Sequence, residues 1–202
     1  MKQLRLFATV FLTATLMLTP LLNSTAEACV GKTLVVGALD NPQHQVLAQM
    51  LSILISERTG TTVKVVPVED HPKAHDALLR ADLDMYVEYT GVGQVVLLKQ
   101  PPIAEAEELY KSVKSYYNQE LNLIWLKPFG FTNASIAPEG TVATAAPVVR
   151  KDTLKKFPAL ARLIEKLGGA IDDETMQKLE AESAKGAPRE VARTFLKKNR
   201  FI

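Results

Sequence analysis

The chain alternates short apolar runs with helical segments, and this alternation constrains its fold more than any other feature. The apolar runs occur at residues 33–37, 62–66 and 83–87. Between them, residues 42–58 repeat apolar side chains at three- and four-residue spacing, and residues 72–80 open with a proline in a favoured first-turn position. Strands that alternate with helices pair in parallel through right-handed crossovers. The sequence therefore predicts an α/β fold with a mainly parallel sheet.

The remainder of the chain predicts further helices and strands. Three helices are expected to close it, with Asp152 and Asp172 as caps of the first two and Pro188 opening the third. The segments before them are two helices at 92–98 and 103–120, a strand at 121–126, a loop with one short extended piece at 132–146, and a last strand at 147–150.

The N-terminus has the pattern of a secretory signal peptide. Lys2 and Arg5 precede an apolar run at 6–22, and an Ala-x-Ala site follows at 26–28. The alternative is a membrane anchor, but a span needs about 20 apolar residues and Pro20 interrupts this run. We expect residues 1–28 to be removed and residues 29–202 to form one domain that is periplasmic or secreted.

Cys29 is the only cysteine, so no intrachain disulfide can form. It would be the first residue after cleavage, where a lipid-anchored cysteine sits in bacterial lipoproteins. Ala26 stands where lipoproteins usually carry leucine, so an unpaired terminal thiol is the alternative. The 24 basic and 22 acidic side chains are nearly balanced, which gives no electrostatic reason to expect a nucleic-acid partner.

The third apolar run leads into the segment that points most directly to a ligand. Open α/β sheets bind small molecules beyond the carboxyl ends of their strands. We expect the strand to end in a loop there, with candidate ligand contacts from Tyr86, Glu88, Tyr89, Thr90 and Gly91. Strand alternation puts Tyr86 and Glu88 on one side and Tyr89 on the other.

A tyrosine face attracts a quaternary ammonium group by about 0.5–2 kcal/mol. The alternative is that a tyrosine packs beneath the helices with its hydroxyl satisfied. We favour packing for Tyr86 and leave both interpretations open for Tyr89.

The ends of the first two predicted strands add further candidates. Asp40 and Asn41 follow the first strand, where they either contact a ligand or form a capping turn. His71 follows the second strand and is expected at the mouth of the cleft. His71 and His75 have the spacing of two metal ligands on a helix, but no third ligand is evident, so no metal site is predicted.

The sequence contains little that favours catalysis. No serine lies in a Gly-x-Ser-x-Gly elbow, and residues 37–39 lack the glycine pattern of a phosphate- or dinucleotide-binding loop. We therefore predict a non-catalytic protein without a cofactor.

Several segments together resemble one protein family. They include EYTG at 88–91, GFTN at 130–133 and APVVRKD at 146–152, with weaker similarity at 34–37 and 190–196. In combination they resemble the substrate-binding proteins of glycine betaine/choline/carnitine ABC importers. The resemblance implies a three-layer lobe of the periplasmic-binding-protein type (type II-like) that passes a quaternary ammonium osmoprotectant to a membrane permease.

The resemblance also implies that half of the receptor is missing. Family members carry a second lobe between the segments that match 129–133 and 145–152, whereas only residues 134–144 intervene here. The chain is therefore expected to be a single lobe.

The resemblance places Tyr89 in the aromatic cage of the family, but most other cage positions differ. Relatives tend to have threonine where Val92 stands and lysine where Leu39 stands. They tend to have Tyr-Asp at the positions of residues 143–144. One ring contributes only about 1 kcal/mol, so we expect millimolar binding unless a second chain completes the cleft. A homodimer facing cleft to cleft is one such arrangement. The alternative function is a ligand-free protein that docks on a permease or another exported partner.

Overall fold

Five strands form the central sheet of the computed structural model, which describes residues 33–202. The predicted signal peptide and Cys29 lie outside the described residues. The strands are β1 (Leu34–Leu39), β2 (Val63–Val68), β3 (Met85–Tyr89), β4 (Leu123–Trp125) and β5 (Ala145–Arg150).

The sheet order is β2-β1-β3-β5-β4. β1 pairs in parallel with both β2 and β3, and β5 lies antiparallel between β3 and β4. Four of the five strands therefore point the same way, which confirms the predicted α/β fold with a mainly parallel sheet.

Helices connect and cover the strands. They are α1 (Pro42–Thr59), α2 (His71–Leu79), α3 (Ala106–Glu120), α4 (Lys151–Lys156), α5 (Leu160–Ile164), α6 (Asp173–Lys185) and α7 (Pro188–Lys198), with a π-helical segment at Val92–Leu97 and 3₁₀ turns at Ala134–Ile136 and Glu165–Leu167. Within residues 33–202, none of the helices combines the length and the apolar character that a membrane crossing requires.

α1 has clear start and stop signals. The Asn41 side chain caps it by accepting a hydrogen bond of 2.8 Å from the backbone N–H of His44, and Pro42 occupies the first turn. Gly60 ends it at φ 70°, a left-handed conformation that favours glycine. These signals confirm the predicted helix and its glycine stop.

Two apolar layers enclose the sheet. One face packs against α1, α5, α6 and α7 through side chains such as Val36, Leu51 and Phe195. The other face packs against α2 and α3 through Tyr86 and Trp125, both fully buried. The three-layer arrangement follows from helices that connect parallel strands on both faces of the sheet.

The caps of the closing helices are partly as predicted. Asp172 caps α6 by accepting a 2.8 Å hydrogen bond from the backbone N–H of Thr175, and Pro188 opens α7. The prediction that Asp152 caps the first of the three closing helices is wrong. β5 runs directly into α4, so the cap position falls on Arg150 and Asp152 lies in the first turn.

The predicted loop at Thr90–Gly91 is also wrong, because β3 turns at once into a helical segment. The Thr90 hydroxyl donates to the Val142 carbonyl and accepts from the Thr144 N–H, both at 3.1 Å. A Cβ at Gly91 would lie 2.7 Å from the same Val142 oxygen. The close approach of the facing segment therefore requires glycine at position 91.

Candidate functional site

The carboxyl ends of β1, β2 and β3 meet at one edge of the sheet because these strands run parallel. Three aromatic rings converge there from three elements: His44 from the first turn of α1, His71 from the start of α2, and Tyr89 from the end of β3. Tyr89 lies 5.5 Å from His44 and 5.9 Å from His71 between ring centroids, and the two imidazoles are 5.4 Å apart. We refer to His44, His71 and Tyr89 as the ring trio.

A buried carboxylate lies beside the ring trio. Glu88 is fully buried, and its Oε1 accepts a 2.7 Å hydrogen bond from the backbone N–H of Tyr89. Nδ1 of His71 lies 2.8 Å from the same oxygen. The Tyr86 hydroxyl donates to Oε2 at 3.1 Å. Glu88 thus links the backbone of β3 to the ring at the start of α2.

The pKa values of the two histidines of the ring trio are shifted in opposite directions. Burial lowers the pKa of His71, but hydrogen bonding to Glu88 and the charges of Glu88 and Asp70 outweigh it, and the pKa ends above its ordinary 6.5. Burial, followed by the charge of His71, lowers the pKa of His44 to about 3. Burial also raises the pKa of Tyr89. A positive charge at this edge is therefore carried by His71, while His44 stays neutral.

A cleft of about 450 Å³ lies on the far side of Gln43 from the ring trio. Gln43, Asn133 and Met176 line it together with the carboxylates of Asp173 and Glu180. Oε1 of Gln43 accepts a 3.1 Å hydrogen bond from Nδ2 of Asn133 and a second hydrogen bond from the hydroxyl of Tyr89. Gln43 therefore connects the tyrosine of the trio to the cleft wall.

The predicted site residues separate into two groups. Tyr86, Glu88, Tyr89 and His71 lie together, with Tyr86 and Tyr89 on opposite faces of the sheet as strand alternation predicts. The others lie elsewhere: Asn41 caps α1, Asp40 is exposed after β1, and Thr90 and Gly91 hold the segment at 138–144.

Sequence reasoning missed three residues of this site, namely Gln43, His44 and Asn133. Gln43 and His44 lie in the first turn of a helix whose periodicity drew attention only to its core. Their position just after the first strand is the signal that could have identified them. Asn133 belongs to the GFTN segment, but no role was predicted for it.

His71 and His75, which have the spacing of paired ligands, pack against different neighbours. The ring of His75 packs 5.4 Å from that of Tyr117 instead of joining His71. Within residues 33–202, no group of three or more His, Cys, Asp or Glu side chains is arranged to hold a metal ion.

Comparison with known families gives a match over most of the chain. The family described as the substrate binding domain of ABC-type glycine betaine transport systems (OpuAC) matches residues 32–136 and 135–198. The two matched segments overlap at residues 135–136, in the connection between β4 and β5.

Curated relatives are longer than this chain. The ergothioneine transport permease/ergothioneine binding protein EgtU of Helicobacter pylori is 31% identical over 103 residues, covering 50% of this chain and 18% of that protein. The carnitine transport binding protein OpuCC of Listeria monocytogenes is 24% identical over 184 residues, covering 88% of this chain and 56% of that protein. The chain thus spans about half the length of OpuCC and less of EgtU.

Solved structures share the fold. A glycine betaine/carnitine/choline ABC transporter structure aligns with a TM-score of 0.77 and 17% identity over 83% of this chain and 99% of that chain. Apo YehZ from Escherichia coli aligns with a TM-score of 0.74 and 16% identity over 85% of this chain and 100% of that chain. At these identities the likeness establishes the fold alone.

Proposed function

The chain belongs to the family of substrate-binding domains of ABC-type glycine betaine transport systems, and from that premise we propose that it binds a quaternary ammonium solute for an importer. The relatives are named for the transport or binding of carnitine, glycine betaine and ergothioneine. All three compounds carry a trimethylammonium group and a carboxylate. We therefore propose a betaine-type solute, with choline as a carboxylate-free comparison.

The observation that carries the proposal is the position of Tyr89. Its ring stands at the carboxyl end of β3, and its hydroxyl binds Gln43, which lines the cleft. The carboxylates of Asp173 and Glu180 line the same cleft and favour a cation. A tyrosine ring whose hydroxyl reaches the wall of an acidic cleft could contact a trimethylammonium group once the ring is uncovered.

We further propose that residues 134–144 replace the second lobe of longer relatives. Two observations support this. The family match divides at residues 135–136. Thr132 and Thr144 form an antiparallel bridge, and the Asn133 N–H donates to the Ala143 carbonyl at 2.9 Å, so the two ends of the short segment lie side by side. A cleft with one wall binds weakly, and millimolar affinity corresponds to only about 4 kcal/mol.

A second polypeptide could complete the cleft, but self-association has little support. Self-association would be favoured if the missing lobe left a large apolar patch exposed. Among residues 33–202, the exposed large hydrophobic side chains are Leu79, Val96 and Tyr116, which lie on three different elements. The homodimer remains a prediction that native mass spectrometry checks.

The proposed setting is outside the cytoplasmic membrane, with a membrane permease as partner. The signal-peptide pattern at residues 1–28 supports export. Cys29 would then be either a lipid anchor or a free thiol, which a mass measurement of the exported protein distinguishes.

Titration calorimetry with glycine betaine, carnitine and choline tests solute binding. We expect millimolar Kd values for the protein and loss of binding in Tyr89→Leu. Tyr117→Leu is the matched control, since it also removes a buried tyrosine ring but on the opposite face of the sheet. Solute-blind wild-type protein, or unchanged binding by Tyr89→Leu, would contradict the proposal and favour the docking function.

A further inference from the structure

Two imidazole rings cover the tyrosine at the proposed solute site. Tyr89 is only 1% exposed, and the rings of His44 and His71 both pack against it in T-shaped arrangements. A solute that meets the face of Tyr89 must therefore displace one of them. His44 is 2% exposed within the first turn of α1, whereas His71 is the first residue of α2 and its side chain is 20% exposed. His71 is the ring that can move aside.

His71 also carries the charge at this position. It lies at the N-terminus of α2, where the helix dipole disfavours a cation, so its proton depends on the carboxylate of Glu88 at 2.8 Å. The pKa values of His44 and His75 are lowered, chiefly by burial, so both rings are neutral at pH 7. The titratable groups around the pair are Glu88 and Asp70, the two neutral imidazoles of His44 and His75, and the phenols of Tyr86, Tyr89 and Tyr117.

The distances match those of a cation next to an aromatic ring. The centroids of His71 and Tyr89 are 5.9 Å apart, within the roughly 6 Å over which a cation is attracted to a ring face. We propose that the imidazolium of His71 occupies the cation position beside Tyr89 and Glu88 in the solute-free protein, and that a quaternary ammonium solute replaces it there. This inference rests on the proposed solute-binding function and adds a positioning residue that competes with the solute.

Proton release follows from this replacement. Two positive charges cannot share the position without repulsion, so the solute favours the neutral form of His71. Linkage then requires that solute affinity rise with pH as His71 loses its proton, by at most about tenfold per pH unit. We expect choline to bind about tenfold more tightly at about pH 8 than at about pH 6, which lie on either side of the ordinary histidine pKa.

The experiment compares two solutes of the same shape and different charge. Choline and its uncharged carbon analogue 3,3-dimethylbutan-1-ol are titrated at both pH values against wild type, His71→Gln and His75→Gln. We expect the choline affinity of wild type and His75→Gln to rise with pH, and that of His71→Gln to stay constant at both. The uncharged analogue must also move the ring of His71, but it does not repel the imidazolium, so its affinity should change much less with pH than that of choline.

Three outcomes would overturn the inference while leaving solute binding intact: choline affinity independent of pH in wild type, pH dependence retained in His71→Gln, or the same pH dependence for the uncharged analogue. Absence of any binding at either pH overturns both this inference and the proposed function. NMR titration of the His71 ring adds a direct reading, because saturating choline should lower its pKa and an unchanged value counts against displacement.

Discussion

Replacing His44 with leucine should make the protein more resistant to acid. Neither ring nitrogen of His44 has a hydrogen-bond partner within residues 33–202, and burial holds its pKa at about 3. In the unfolded chain the same ring takes up a proton near pH 6.5. The unfolded state therefore binds more protons below that pH, so the stability is present above pH 6.5 and is lost as pH falls toward 3.

The size of the effect follows from the difference between the two pKa values. Each unit corresponds to about 1.4 kcal/mol, and about pH 5 lies about 1.5 units below the unfolded value. His44 should therefore cost wild type about 2 kcal/mol of unfolding free energy between about pH 7 and about pH 5. At neutral pH the His44→Leu variant should be at least as stable as wild type, because it removes two buried polar atoms that have no hydrogen-bond partner.

Urea denaturation at the two pH values measures this difference. Trp125, the only tryptophan of the chain, is fully buried and reports unfolding by fluorescence. Met50→Leu is the control, since it conserves volume at another buried position of α1 and cannot titrate. Equal losses of stability in wild type and His44→Leu would refute the reasoning.

Three further substitutions test the contacts around the site. Glu88→Leu leaves two buried donors of β3 without an acceptor and should lower the free energy of unfolding by about 3–5 kcal/mol; a loss below about 1 kcal/mol in urea denaturation would argue against a paired carboxylate. Gln43→Leu removes the acceptor shared by Tyr89 and Asn133, so we expect faster hydrogen exchange of the Asn133 side-chain amide. Unchanged exchange would show that Gln43 does not hold the Asn133 side chain in place. Gly91→Ala places a Cβ 2.7 Å from a facing carbonyl oxygen and should cost about 1–3 kcal/mol in thermal unfolding, whereas unchanged stability would contradict the close approach.

The pH dependence that His71 contributes to stability has the opposite sign to that of His44. The pKa of folded His71 is raised above 6.5, so its stabilising contact is fully present below pH 6.5 and is lost as pH rises through the folded value. The stability of Glu88→Gln should therefore depend less on pH above 6.5 than that of wild type. A parallel dependence in both proteins would show that this pair does not stabilise the fold.

The elements with strong local signals were predicted well. α1 combines regular apolar spacing with a capping asparagine and a terminal glycine, so its bounds differ from the prediction by a single residue. The parallel arrangement of β1, β2 and β3 follows from their alternation with helices. The alternation of side chains along β3 likewise predicts the opposite faces of Tyr86 and Tyr89.

Features that depend on long-range contacts could not be predicted in the same way. β5 lies between β3 and β4, and that order is set by pairing across the whole sheet, not by local spacing. The direct passage from Tyr89 into a helical turn depends on the segment at 138–144 packing against Gly91. The sequence at Thr90–Gly91 does not indicate which distant segment of the backbone will pack against it.

The candidate site shows the same division. Strand ends identified Tyr89, Glu88 and His71, because parallel strands bring their carboxyl ends together. Tyr89 contacts His44 and Gln43, which both lie in α1. The apolar periodicity of α1 indicated only which of its residues are in the core, so no site role was predicted for these two polar residues. Only the three-dimensional arrangement shows that a buried imidazole and an amide meet the tyrosine.

The central claim is that a quaternary ammonium solute binds beside Tyr89 at the carboxyl edge of the sheet. The most direct measurement is a ¹H–¹⁵N NMR titration of the protein with choline at about pH 8, above the ordinary histidine pKa. We predict saturable shifts at Tyr89, His71, Gln43 and Asn133, with little change on α3. No shifts at concentrations well above the millimolar range, or shifts confined to residues away from this edge, would contradict the claim.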